Sequence, residues 1–380
     1  MDFQPLREYM TGLIEKGVPG LEVAVCRNHR VLFHECMGYS DYERQRKASS
    51  SDRYWMYSCT KPVLAAAAMQ CVERGWIGLD DPVAKFLPAY ADAYVMENGE
   101  KRIVGGGMTI RHLFTMTAGL DYRLNRPQIR ALCEQTAGRA GTKDIVQSLA
   151  EDALSFRPGA RFQYSLCHDV LGAVIEVVSG MSLRDYMKKN IFEPLRMTRT
   201  DFWTAGEKPD DLAAQYRYDA GSRRLLTFDA PNEFVLSENY YSGGAGLVSC
   251  CEDYIKFTDA MSCGGENERG IRILRPESID LMREPQLSAF GVSDSFSCTC
   301  GSDYSYGLGV RTRTAFNSGV FSAQGEFGWD GAAGADMTMD VENGLSIMYM
   351  QHIRNWPGML GAVHLQLRDV VYPIIKDQSL

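Results

Sequence analysis

The two ends of the chain carry matching patterns in opposite order, and this symmetry constrains the fold more than any other feature. Apolar residues at helical spacing over residues 3–16 are followed by two β-rich runs, LEVAVC (21–26) and VLFHEC (31–36). Near the other end, an Asn-Gly pair at 343–344 is a strong hairpin signal, and an amphipathic helical pattern spans 360–374. The sequence therefore predicts one antiparallel sheet, built by both ends of the chain and covered by the terminal helices.

Helical signals dominate the middle of the chain. Thr109 and Ser182 stand at N-cap positions before helical runs, and Gly180 stands where a helix is expected to end. The tetrad Ser-Cys-Cys-Glu at 249–252 matches a capping box that would open a further helix. These signals predict a mostly helical segment inserted into the sheet domain.

The length of 380 residues exceeds the size at which a single core usually stops growing. We therefore predict two domains and a mixed α+β fold. Residues 1–57 and 237–380 are assigned to the sheet domain, and residues 58–236 to the mostly helical domain. The segment 288–307 is predicted to be a long loop.

Charge and hydropathy exclude two classes of partner. The formal net charge is −8 and no long basic run is present, which argues against binding of nucleic acid. The start MDFQPLREYM lacks a basic region followed by an apolar one, and no stretch approaches the roughly 20 apolar residues of a membrane span. We expect a cytoplasmic protein with neither a membrane nor a nucleic acid as its partner.

The eleven cysteines form no CxxC motif. The nearest metal signals are Cys298 with Cys300 and the adjacent pair Cys250 and Cys251, and both lack histidine at ligand spacing. The sequence therefore predicts free thiols and no metal site.

The stretch WMYSCTKPVLAAAAM (55–69) places Ser58 three residues before Lys61 at the head of an alanine-rich helical run. Serine is a favoured N-cap, and for an isolated S-x-x-K this structural interpretation is the stronger one. Residues i and i+3 of a helix nevertheless lie about 5 to 6 Å apart on one face, so Lys61 can reach the Ser58 hydroxyl. A desolvated lysine can lose its proton and act as a base, which leaves the nucleophile interpretation open.

Two further motifs follow in order, FQYSLCHDVLGAVIEVVSG (162–180) and GEFGWDGAAGADMTMD (325–340), whereas the G-x-S-x-G elbow of α/β-hydrolases is absent. Together with YSCTKP they resemble the three motifs of the serine β-lactamase and penicillin-binding-protein superfamily. The chain is most similar to the class C β-lactamase-related branch that includes family VIII carboxylesterases. Connecting segments such as MTIRHLFTMTAGL (108–120) extend the likeness over nearly the whole chain. The resemblance implies a β-lactamase-like fold with its active site in the cleft between the two domains.

The resemblance also implies the catalytic roles. Ser58 is similar to the acylated nucleophile, Lys61 to its proton-transfer partner, and Tyr164 to the tyrosine whose phenol or phenolate shares that transfer. The backbone N–H groups of Ser58 and Ala332 would form the oxyanion hole. Because an unperturbed tyrosine has a pKa of about 10, Tyr164 would need cationic or donor neighbours to act as a base near pH 7.

The implied substrate-binding residues are Trp329, Asp330, Gly331 and Leu166. β-Lactamases and DD-peptidases of this superfamily usually carry Asn at the position of Leu166 and Lys or His at that of Trp329. The missing cation would otherwise engage a substrate carboxylate, so the cleft is expected to be more apolar. Asp330 would repel a carboxylate if it faced the cleft, and would be structural if strand alternation turned it away.

With these departures the chain resembles family VIII esterases. The resemblance predicts a serine carboxylesterase for small neutral acyl esters. The alternatives are an acyltransferase on a hydroxylated small molecule, a D-amino-acid peptidase or weak β-lactamase, and a non-catalytic sensor. The chemistry requires no cofactor, and the only predicted partner is the ester substrate. His168 and Asp169 are expected to be structural, and segments 121–143 and 288–307 are expected to line the cleft.

Overall fold

An eight-stranded antiparallel sheet organises the molecule. The computed structural model describes residues 1–203, 209–291, 303–316, 321–357 and 359–376. The strand order is β11-β12-β13-β14-β15-β1-β2-β3, so the first and last parts of the chain meet at the β15–β1 pair. Because both ends of the chain supply strands to one sheet, the predicted sheet is confirmed.

The sixteen strands of the described residues form this sheet and three smaller ones, in the orders β4-β10-β7, β16-β8-β9 and β5-β6. The strands are β1 (Gly20–Arg27), β2 (Arg30–Asp41), β3 (Arg46–Lys47), β4 (Tyr54–Trp55), β5 (Tyr94–Glu97), β6 (Glu100–Ile103), β7 (Asp201–Phe202), β8 (Tyr216–Asp219), β9 (Arg224–Thr227), β10 (Leu247–Ser249), β11 (Tyr304–Tyr306), β12 (Arg311–Arg313), β13 (Phe327–Asp330), β14 (Asp336–Asp340), β15 (Leu345–Met350) and β16 (Ile353–Arg354).

Ten α-helices accompany the strands within the described ranges. They are α1 (Gln4–Glu15), α2 (Thr60–Glu73), α3 (Ile110–Phe114), α4 (Pro127–Gln135), α5 (Thr142–Ser148), α6 (Cys167–Ser179), α7 (Leu183–Met187), α8 (Cys251–Ser262), α9 (Pro276–Arg283) and α10 (Gln366–Lys376). The predicted start signals at Thr109 and Ser182 and the predicted stop at Gly180 coincide with the ends of α3, α7 and α6. Helices and an antiparallel sheet together make the predicted α+β fold.

The two faces of the main sheet bury different partners. One face packs against the terminal helices α1 and α10, through an apolar cluster that includes Leu6, Met10, Val23, Ile347, Leu367 and Val371. The other face packs against α2 and α8, through a cluster that includes Ala24, Val63, Ala66, Phe257, Met337 and Met348. Since side chains alternate along a strand, β1 and β15 contribute residues to both cores.

Helix α2 lies in the middle of the second core. Its residues from Thr60 to Cys71 are all buried, which explains a sequence that is apolar all round rather than on one face. The side chains of Ala65 to Ala68 are small, so neighbouring elements can approach this helix closely. The fold thereby holds the head of α2 against the end of β13, which forms its hydrogen-bonded ladder with β14.

Two local predictions are wrong. The capping box at 249–252 does not form, because Ser249 is the last residue of β10 and bonds its hydroxyl to Thr200 at 2.6 Å; Cys250 is the N-cap of α8 instead. The segment 288–307 is not loop throughout, since it ends in β11, and residues 292–302 lie outside the described residues together with Cys298 and Cys300. The helix predicted over 360–374 is confirmed, and it consists of a π-helical segment (Met359–Leu365) followed by α10.

The division into domains at 57/58 and 236/237 stays a prediction. Strands β7 and β8 come from within 58–236, yet they pair with β10 and β16 from outside it. None of the helices in the described part of the chain has the length and apolarity needed to cross a bilayer.

Candidate active site

Ser58 lies in a 3-10 turn, Tyr57–Cys59, that leads directly into α2. The N-cap of α2 is Cys59, so Ser58 is not the helix cap that the simpler interpretation of the sequence proposed. The preceding residue, Tyr57, has a φ of 45°, in the left-handed region that L-residues other than Asn and Asp rarely occupy. The Tyr57 hydroxyl donates to Gln215 Oε1 at 2.7 Å behind the turn, which helps to hold this conformation.

Lys61 projects its Nζ to the Ser58 hydroxyl. The Nζ donates to Ser58 Oγ at 3.2 Å, to Tyr122 OH at 3.2 Å and to the Gly244 carbonyl at 2.8 Å, which uses all three donors of an ammonium group. The side chain is fully buried, and this desolvation lowers the pKa of Lys61 to about 7, against the weaker opposing effect of Asp169 and Asp330. A substantial fraction of Lys61 is therefore neutral at physiological pH.

Tyr164 lies on the other side of the lysine. The Lys61 Nζ is 4.4 Å from the centroid of the Tyr164 ring, and the Trp329 Nε1–H donates to the Tyr164 hydroxyl at 3.2 Å. Burial raises the pKa of Tyr164 well above its usual range, and hydrogen bonds from Ser58 and Trp329 only partly offset that effect. Tyr164 is thus a neutral phenol, able to relay a proton but not to hold a negative charge near pH 7.

A second tyrosine, Tyr122, completes the surroundings of Lys61 and was missed at the level of sequence. Its hydroxyl accepts from Lys61, its ring stacks on Tyr164 with centroids 5.5 Å apart, and burial raises its pKa well above the usual range. Tyr122 belongs to segment 121–143, which we predicted to line the cleft. No motif singled it out, since its contact with Lys61 joins residues that are 61 positions apart.

The end of β13 and the turn after it lie next to the segment that carries Ser58. Gly331 approaches the chain so closely that a Cβ would lie 2.5 Å from the Met56 carbonyl oxygen, so only glycine fits. Ala332 is exposed in the turn. Neither its backbone N–H nor that of Ser58 bonds to an acceptor in the part of the chain that the structure describes. These two donors are available for a ligand.

Two of the predicted substrate-binding side chains lie away from this point. Asp330 pairs with Asp336 across β13 and β14, which puts it on the face of the sheet opposite to Trp329. Leu166 is 2% exposed and packs in the helical core at the start of α6. Neither side chain therefore faces the site of Ser58 and Tyr164 as Trp329 does.

His168 and Asp169, at the start of α6, are both fully buried. Burial lowers the pKa of His168 to about 3, and its Nε2 donates to the Phe114 carbonyl at 3.3 Å, so it is a neutral structural imidazole. Asp169 Oδ1 accepts from Tyr240 and Ser242, both at 2.7 Å. It therefore anchors the segment whose Gly244 carbonyl accepts from Lys61.

Aromatic rings pack around Tyr164 in one continuous group. Trp329 stacks on Tyr164 with centroids 5.6 Å apart and meets Tyr306 edge to face at 5.2 Å. Tyr306 in turn contacts Phe162 at 5.2 Å, and on the other side Tyr122 meets Phe234 at 5.4 Å. Trp329 and Tyr306 are buried, whereas Tyr122, Phe162 and Tyr164 are partly exposed, so a ligand can reach these three rings.

Known proteins share this architecture. A family model described as Beta-lactamase matches residues 4–370. Esterase EstB of Burkholderia gladioli is 28% identical over 389 residues, which cover 95% of this chain and 92% of that protein. Acyltransferase mokF of Monascus pilosus is 33% identical over 243 residues, 61% of this chain and 57% of that protein. The solved structure of EstCE1, described as a hydrolase with promiscuous acyltransferase activity, has 28% identity and a TM-score of 0.79 and covers 97% of this chain and 99% of its own.

Proposed function

The chain belongs to the Beta-lactamase family, and from this premise we propose that it is a serine carboxylesterase that hydrolyses small neutral acyl esters. One observation carries the proposal. A buried lysine with a pKa of about 7 donates a hydrogen bond to the Ser58 hydroxyl, so a base of suitable strength lies next to a potential nucleophile. The likeness to Esterase EstB supports this choice of reaction.

Acylation begins when neutral Lys61 accepts the Ser58 hydroxyl proton, directly or through the Tyr164 phenol, while Ser58 Oγ attacks the ester carbonyl. The C=O double bond becomes a single bond, and the negative charge on its oxygen is stabilised by the N–H groups of Ser58 and Ala332. Removing a donor of this type typically costs about a hundredfold to a thousandfold in kcat.

The tetrahedral intermediate then collapses. The carbonyl reforms, the bond to the alcohol oxygen breaks, and the leaving alcohol takes the proton held by the Lys61 and Tyr164 pair. A water molecule repeats the sequence in reverse: it loses a proton to Lys61, attacks the acyl carbon and releases the acid with Ser58 restored. Because Tyr164 is a neutral phenol in the free protein, its role is to pass a proton between Ser58, Lys61 and the alcohol.

The residue types at positions 166 and 329 favour a neutral acyl group. Trp329 stands at the position where β-lactamases and DD-peptidases of the superfamily carry a cation, and its indole N–H is directed to Tyr164. Leu166 replaces the usual polar residue and is buried. Neither residue offers charge to a substrate carboxylate, so efficient turnover of nitrocefin or of D-alanyl peptides would count against the proposal.

Replacement of the nucleophile is the direct test. We expect Ser58→Ala to lose hydrolysis of p-nitrophenyl butyrate, and a fluorophosphonate probe to add its mass at Ser58 of the parent protein only. Ser222→Ala, in the exposed turn between β8 and β9, is the matched control and should hydrolyse the ester as the parent does. Hydrolysis by Ser58→Ala at the rate of the parent would overturn the proposal, and a folded parent without esterase activity or labelling would favour a sensor.

Acyl transfer is the second candidate function. It is favoured by the likeness to Acyltransferase mokF and to EstCE1. The partly exposed rings of Tyr122 and Tyr164 offer apolar surface to an organic alcohol that could replace water in the second step. Product ratios measured with competing alcohols separate the two: an acyltransferase forms mainly the new ester at alcohol concentrations far below that of water.

A further inference from the structure

A group of metal-ligand side chains lies where α8 begins, on the α8 face of the main sheet. Glu22 of β1, His34 of β2 and Cys251 of α8 bring a carboxylate oxygen, an imidazole nitrogen and a thiol within 4.8 Å of one another. The sequence showed the pair Cys250 and Cys251 without histidine at ligand spacing. The fold supplies the histidine from a distant strand.

The Glu22 carboxylate is buried, and packing alone does not satisfy the hydrogen-bonding needs of both its oxygen atoms. Its side chain is fully buried, and Oε1 is 2.6 Å from His34 Nε2. Oε2 has no donor in hydrogen-bonding geometry in the described residues, although the Cys36 thiol lies near enough to the carboxylate to influence its pKa. An unsatisfied buried carboxylate oxygen is costly, and such an atom in a native fold calls for an explanation such as a bound ion.

A fourth potential ligand stands beside these three. Cys36 lies directly opposite Glu22 in the β1–β2 pair, and His34 precedes Cys36 by two residues, so all three side chains leave the same face of the sheet. The Cys36 and His34 side chains are partly exposed, which gives an ion a path from solvent.

We propose that Glu22, His34 and Cys251 bind a zinc ion, with Cys36 or water as the fourth ligand. One carboxylate, one imidazole and one or two thiolates form a donor set that zinc accepts, with metal–ligand bonds of about 2.0 to 2.3 Å. The ion replaces the proton shared between His34 and Glu22. That proton and the Cys251 thiol proton leave to solvent, so binding releases protons and changes no oxidation state.

The position indicates a structural ion. It would join the β1–β2 hairpin to the first residue of α8, directly after β10. Strand β10 pairs with β4, whose residues Tyr54 and Trp55 stand just before the turn that carries Ser58. The ion would therefore stabilise the strands that precede the turn with Ser58, and it would not contact the cleft.

A second trio in the same protein provides an internal control. His29, Asp259 and Cys263 also lie within 4.8 Å of one another, at the other end of α8. Here both carboxylate oxygens are satisfied: Asp259 Oδ1 accepts from the Cys26 thiol at 3.2 Å and the His29 N–H at 3.0 Å, and Oδ2 bonds to His29 Nδ1 at 2.7 Å. Hydrogen bonds account for this cluster, and no ion is assigned to it.

Cobalt(II), which substitutes for zinc and is coloured, tests the assignment. We expect metal-free parent protein to bind one Co²⁺ per chain, with a thiolate-to-cobalt charge-transfer band that added Zn²⁺ abolishes, and Zn²⁺ to raise the Tm. His34→Gln and Cys251→Ala should lose the band, whereas His29→Gln, in the control trio, should keep it. Circular dichroism shows whether each variant is folded, and His34 is partly exposed, so its replacement is the safer of the two.

Two results would overturn the inference. One is a folded, metal-free parent that gives neither the band nor a shift in Tm. The other is a band that survives in His34→Gln and disappears in His29→Gln, which would assign the ion to the other trio. Because Ser58→Ala leaves this site intact, the same titration in that variant keeps the outcome independent of the proposed esterase activity.

Discussion

Buried charged residues lie on both faces of the main sheet. Those on one face form ion pairs, whereas Lys61 on the other face does not. Under the terminal helices, Asp336 pairs with both Arg311 and Arg368 at 3.2 Å, and Arg368 lies 3.5 Å from Glu326. On the cleft face Lys61 is equally buried, but its three hydrogen bonds go to two hydroxyls and a carbonyl, and no described carboxylate lies within ion-pair distance.

A buried charge becomes reactive when no ion of opposite sign pairs with it. The paired arginines and carboxylates hold strands and helix α10 together, because each ion compensates part of the desolvation of another, although burial still raises the pKa of Glu326 to about 7. Lys61 has no such compensation, so its pKa falls to about 7 and it can exchange a proton. Burial alone therefore does not identify a catalytic group; burial without an ionic partner, next to a nucleophile, does.

The largest effect on activity is expected for Lys61→Met. Loss of the general base should reduce kcat/KM for p-nitrophenyl butyrate by about a thousandfold or more. The Tm should not fall, because the variant removes a desolvated cation that folding had to accommodate. Lys101→Met, on the exposed strand β6, is the matched control. A Tm well below that of the parent would show that Lys61 is held as a structural charge.

The opposite result is expected for Arg368→Met. Removing one partner leaves Asp336 and Glu326 buried with less compensation, which should lower the free energy of unfolding by about 3 to 5 kcal/mol. The esterase activity per folded molecule should stay near that of the parent. Chemical denaturation measures the first quantity and active-site titration the second, with Arg44→Met at an exposed pair as the control. Stability equal to that of the parent would refute the contrast.

Tyr122→Phe is expected to have a smaller effect, on the pH dependence of activity. In the parent, kcat/KM should fall about tenfold per pH unit below pH 7, because protonated Lys61 is no base. The Tyr122 hydroxyl accepts from Lys61 and favours its ammonium form, so its removal should lower the pKa of Lys61 further. The acid limb of the pH profile should then move to lower pH. A move to higher pH would mean that Tyr122 opposes the ammonium charge.

Sequence patterns predicted the parts of the molecule that depend on local order. The hairpin at 343–344 and the helix ends at Gly180 and Ser182 follow from turn and capping chemistry. The ordered motifs predicted Ser58, Lys61 and Tyr164, and the fold brings these three side chains together.

The rest depends on contacts between distant segments. Tyr122 reaches Lys61 only because the chain after α3 folds back over the head of α2. The capping box at 249–252 failed because pairing of β10 with β4 took Ser249 into a strand, which a local pattern does not reveal. His34 and Cys251 come together for the same reason. They are more than 200 positions apart in the sequence, and the fold packs their strand and helix against each other.

The left-handed backbone at Tyr57 has a consequence for variation in this protein. The peptide plane between Tyr57 and Ser58 carries the N–H proposed for the oxyanion hole, and its orientation depends on a phenol anchored to Gln215 and packed on Phe234. Changes at Gln215 can therefore misdirect that donor while every side chain at the mouth of the cleft stays the same. Surveys of natural variants that inspect only the lining of the cleft would classify such chains as active when they are not.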